Sequence, residues 1–96
     1  VRLLDGLERA QVRALIVCSL RTQGYDSRIR LVWGEGGQLE MISIGLVLEP
    51  WSFKRLRFWW YGEKAFAPIE RYVQRVLIEA GLPSAAVYLV LEDPAP

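Results

Sequence analysis

The chain has no histidine and no asparagine, one cysteine, one methionine, and two lysines beside ten arginines. Without histidine, the commonest general base and metal ligand is missing, and the lone Cys18 has no imidazole to activate it. Seryl chemistry lacks both that base and a Gly-x-Ser-x-Gly elbow. These absences argue against catalysis, a metal site or a bound cofactor. A single cysteine also excludes an internal disulfide. Cys18 lies in the apolar run Ala14-Leu15-Ile16-Val17-Cys18, which predicts a buried, unreactive thiol in a reducing cytoplasm. No run approaches the roughly 20 apolar residues of a membrane span, and the charged start Val1-Arg2-Leu3-Leu4-Asp5 does not read as a signal peptide. The expected setting is therefore cytoplasmic, away from membranes. Few labile side chains and abundant ion-pairing groups give a thermophile-like composition, and arginine in place of lysine suits a GC-rich genome.

What is present fits one domain over the 96 residues, with frayed ends at 1–4 and 92–96. The net charge of +1 is too small to imply a polyanionic partner by itself. Its distribution is uneven. Residues 1–30 carry six arginines and three acids, whereas residues 31–96 carry six basic and eight acidic side chains.

Asp5 and Glu8 have capping-box spacing, and a helix is predicted from Gly6 to Thr22 with Leu7, Val12, Leu15, Ile16, Cys18 and Leu20 on a wide apolar arc. Arg9, Arg13 and Arg21 form a solvated ridge opposite, and Gly24 ends the helix. Strands over Arg28–Trp33 and Leu39–Leu48 follow. A two-residue turn at Gly36-Gly37 sets Ile29 opposite Ile44 and Leu31 opposite Ile42 on one side, with Arg28 beside Gly45 and Arg30 beside Ser43 on the other. Gly34-Glu35-Gly36-Gly37 matches a phosphate loop in glycine content, but it joins two strands and so reads as a turn.

In the Glu49–Lys54 connection, Trp51 and Phe53 are expected to fold back over the core. Arg55–Tyr61 then alternates as a third strand, with Leu56, Phe58 and Trp60 in the core and Trp59 covering Gly45. A second helix opens at Pro68, buries a stripe of Ile69, Tyr72, Val73, Val76, Leu77 and Ala80, and stops at Gly81 before Leu82 and Pro83. The last strand is Ala86–Leu91, parallel to whichever strand it joins because it arrives through a helical crossover. The predicted fold is an α+β two-layer sandwich of order α-β-β-β-α-β, with a three-stranded antiparallel meander, a fourth strand and both helices on one face.

The candidate functional surface is the outer sheet face carrying Arg28, Arg30, Arg55, Arg57, Trp59 and Tyr61. Arginine, tryptophan and tyrosine are enriched at interface centres, so the expectation is a non-enzymatic domain that binds itself or another protein through this face. The alternative is a single-stranded RNA module in which Trp59 and Tyr61 stack on bases and the arginines hold phosphates. In element order alone, residues 6–81 resemble a double-stranded-RNA-binding domain, and the whole chain resembles the dimeric type III secretion chaperones. The first resemblance implies phosphate contacts from a lysine-rich helix start, where Glu63-Lys64-Ala65-Phe66-Ala67-Pro68 offers one lysine. The second implies dimerisation, in a family that is generally acidic and carries further C-terminal elements.

Overall fold

The computed structural model describes residues 6–82 and 85–94. It is an α+β domain of order α1 (Gly6–Thr22), β1 (Asp26–Trp33), β2 (Leu39–Val47), α2 (Phe53–Tyr61), α3 (Glu63–Glu79) and β3 (Ala86–Glu92). Asp5 of the expected capping box, the stop at Pro83 and the frayed ends at 1–4 and 95–96 lie outside the described residues.

The expected third strand is overturned. Residues 53–61 are helical, so among the described residues the sheet has three strands in the order β1-β2-β3 and no three-stranded antiparallel meander. Ser52 starts this helix: its backbone is extended and its Oγ accepts from the Arg55 N–H at 3.2 Å. Nine residues without a breaker follow, and Gly62 closes the turn with its N–H on the Phe58 carbonyl at 2.8 Å. Gly62 also opens α3. Its φ of 56° and ψ of −127° belong to a region open essentially to glycine alone. α3 therefore begins five residues before Pro68, which sits inside the helix and leaves the Lys64 carbonyl without its usual donor.

The hairpin register matches the alternation. Ile29 pairs with Ile44, Leu31 with Ile42, Arg28 with Gly45 and Arg30 with Ser43. The turn itself differs from expectation. Gly37 donates to the Gly34 carbonyl at 3.0 Å and Gly34 to the Gln38 carbonyl at 2.8 Å, so the loop is Glu35-Gly36-Gly37 with Gly37 at φ 80°. The extra loop residue is offset by an irregularity between Val32 and Trp33, where Val32 faces Met41, Trp33 faces Leu39 and Glu40 is skipped.

β3 lies parallel to β2 on its other side, with Ile44 beside Leu89 and Ser43 beside Tyr88. Both long helices cover one sheet face, and the core joins Val12, Ile16 and Leu20 of α1 to Ile69, Val73 and Leu77 of α3 over Ile42, Ile44 and Leu46 of β2. A helix resting on one sheet buries a narrow stripe, so the arc expected for α1 is too wide: Leu15 is 38% exposed and Cys18 is exposed. Arg9 leaves the expected ridge to lie over the Trp33 ring at 4.7 Å. Gly81 ends α3 at φ 77° with the Leu82 N–H on the Leu77 carbonyl, as its sequence predicts.

Candidate functional site

The six residues expected on one sheet face fall into two groups. Arg28 and Arg30 are on the sheet, whereas Arg55, Arg57, Trp59 and Tyr61 are on α2. The two groups do not share a face of the sheet.

On α2, Phe58 is the one buried side chain, packed 4.7 Å from the Phe66 ring and 6.2 Å from the Tyr25 ring. Arg55 anchors the same inward side. Its Nη1 donates to the Leu48 carbonyl at 2.9 Å and pairs with Asp93, fastening the helix to the C-terminal ends of β2 and β3. Lys54 is also occupied, with Nζ over the Tyr25 ring at 5.0 Å and donating to the Gly24 carbonyl. A helix held from that side turns Phe53, Leu56 and Trp60 outward by its own geometry, three and seven residues apart. Trp51, Phe53, Leu56, Trp59 and Trp60 are between 54% and 90% exposed. Trp51 and Phe53 do not fold back over the core, and Leu56 and Trp60 are not part of it.

The second surface is the sheet face without helices. It carries Arg28 and Arg30 of β1, Ser43 and Gly45 of β2, and Tyr88, Val90 and Glu92 of β3. Glu92, expected in a frayed tail, is the last residue of β3; its carboxylate leans over Gly45 and lies 3.7 Å from Arg28. A Cβ on Gly45 would run into that carboxylate. The covering group is thus an acid and not the indole of Trp59. Around it runs a shallow hollow of about 280 Å³ between Arg28, Arg30, Ser43 and Val90.

Period-two reading missed Trp51, Phe53, Leu56 and Trp60 as surface residues. Ser52 at one end and Gly62 at the other were the available signal, since an N-cap residue and a terminating glycine bracket a helix. Among the described residues, no group of three or more potential ligands could hold a metal ion, and no helix is long and apolar enough to cross a membrane. With residues 53–61 helical, the order α-β-β-α-α-β departs from both resemblances drawn from element order. Compared with known families, with curated proteins and with solved structures, the chain shows no match.

Proposed function

We propose that the chain is a small non-enzymatic interaction domain that associates with a second copy of itself through the outward face of α2. One observation carries this reading: five large apolar side chains from one short segment stand in solvent. The four aromatics among them, at about 150–250 Å² each and 71–90% exposed, offer roughly 500–800 Å², approaching the approximately 800 Å² each partner contributes to a standard interface. Monomers seldom leave a contiguous apolar patch of that size uncovered.

A two-fold axis through the middle of α2 makes the patch complementary to itself. Antiparallel packing sets Phe53 of one copy against Trp60 of the other, with Leu56 near the axis. The inward side of each helix keeps Phe58 and Arg55 in place. The absence of histidine and of any catalytic constellation in the sequence supports a binding role in place of chemistry.

Sedimentation of the wild-type chain and of Trp60→Glu tests the reading. Trp60 is 71% exposed, so the substitution removes little packing within one copy while placing a charge in the contact. The expected result is a dimer for the wild type and a monomer with unchanged helical content for the variant. A wild type that stays monomeric at high concentration overturns it. The single-stranded RNA reading draws on a different row, Arg30–Ser43–Tyr88, in which an exposed ring lies on the same sheet face as two arginines. A monomer whose tryptophan or tyrosine fluorescence is quenched by single-stranded RNA in a salt-dependent manner would favour that reading instead.

A further inference from the structure

The two edges of the sheet are built differently. β1 carries Asp26, Arg28 and Arg30 and is irregular at Val32/Trp33, features that discourage a further strand. β3 runs Ala86-Val87-Tyr88-Leu89-Val90-Leu91 without a charge until its last residue, Glu92, which pairs with Arg28; it has no proline or bulge, and among the described residues its one strand neighbour is β2. Its outward N–H and C=O groups have no ladder partner among the described residues. Along this edge a hollow of about 370 Å³ separates β3 from α3, walled by Phe66, Ala67, Val87 and Leu89 and rimmed by Glu63 and Glu70. Neither carboxylate has a cationic partner among the described residues. They stand about 10 Å apart along the helix, two turns at 1.5 Å per residue.

We propose that β3 receives an extended segment of a partner protein as a fourth strand, and that this segment carries lysine or arginine at alternate positions. The backbone of the guest completes the ladder, while its side chains alternate between the two sheet faces. Those on the helical side lay their aliphatic stems in the hollow and bring their charges to Glu63 and Glu70. Those on the other side are apolar and lie beside Tyr88 and Val90. A second copy of β3 fits less well, because it would bring its own Glu63 and Glu70 to the seam and oppose like charges. This inference is independent of association through α2.

The probe is a labelled, end-blocked peptide of alternating lysine and valine, about nine residues long to exceed a typical strand. It is titrated against the wild-type chain beside a glutamate–valine counterpart and two versions N-methylated on alternate amides. The expected result is saturable binding of the lysine peptide, at least about tenfold weaker binding of the glutamate peptide, and a similar loss for one N-methylated version and not the other. Hydrogen exchange at the outward amides of β3 slows on binding. The double variant Glu63→Lys/Glu70→Lys reverses the preference between the peptides. Trp60→Glu leaves binding unchanged, which separates this result from the fate of the α2 interface. The proposal is overturned if both N-methylated versions bind like the parent, if β3 exchange is unaltered, or if nothing binds at millimolar peptide. It is equally overturned if the outward β3 amides are already protected before peptide is added.

Discussion

At the scale of single residues, backbone conformation and exposure decide outcomes that residue type alone would misplace. Cys18 belongs to an apolar run, yet α1 turns it toward solvent. It should therefore be labelled by a maleimide in the native state without denaturant, as mass spectrometry over time would show; protection until denaturant is added would contradict this. The hairpin glycines divide in the same way. Gly37 holds φ 80°, a conformation that costs a β-branched residue roughly 1–2 kcal/mol or more, so Gly37→Val should lower the urea midpoint clearly. Gly36 does not share that constraint: an added Cβ would meet the end of the Gln38 side chain, which can turn away. Gly36→Ala should change stability by no more than about 0.5 kcal/mol.

At the scale of elements, α2 and its junction with α3 depend on two positions. Space around Gly62 is open, so any cost of Gly62→Ala comes from the backbone; a loss of about 1–3 kcal/mol is expected. Equal stability of the variant and wild type in urea would show that the junction relaxes. Phe58→Ala should cost about 3–5 kcal/mol and make the segment around α2 the first site of limited proteolysis, because Phe58 is the side chain that seats this helix. The same helix marks where sequence reading failed. The β1/β2 register was legible because one buried face imposes strict alternation on Ile29, Leu31, Ile42 and Ile44. α3 was legible from its Ile69–Val73–Leu77 stripe, and the parallel sense of β3 from the crossover. Arg55–Tyr61 was not. Aromatic residues favour strands on average, and the period-3.6 stripe of Phe53, Leu56 and Trp60 competes with the period-two alternation of Leu56, Phe58 and Trp60; because the helical stripe faces outward and only Phe58 is buried, core burial did not decide between them. The candidate surface failed with it, since Arg28 and Arg30 were placed beside Trp59 and Tyr61 through a strand that does not exist.

At the scale of the whole molecule, one sheet face and the outer side of one short helix are exposed, while among the described residues every buried apolar side chain lies in a single cluster. The sheet is also assembled from connections of very different length, and that has a consequence in time. β1 and β2 are joined by a loop of a few residues, whereas β3 pairs with β2 only after residues 48–85 have been brought round. Closing the longer segment costs more entropy, so the hairpin with α1 is expected to form first and β3 to dock last. During that interval one edge of β2, the most buried strand, stands open with Ile42, Ile44 and Leu46 incompletely covered. Pulse-labelled exchange should find early protection in β1 and late protection in β3, and refolding yield should fall as protein concentration rises, because the edge waiting for β3 is equally available to a neighbouring chain.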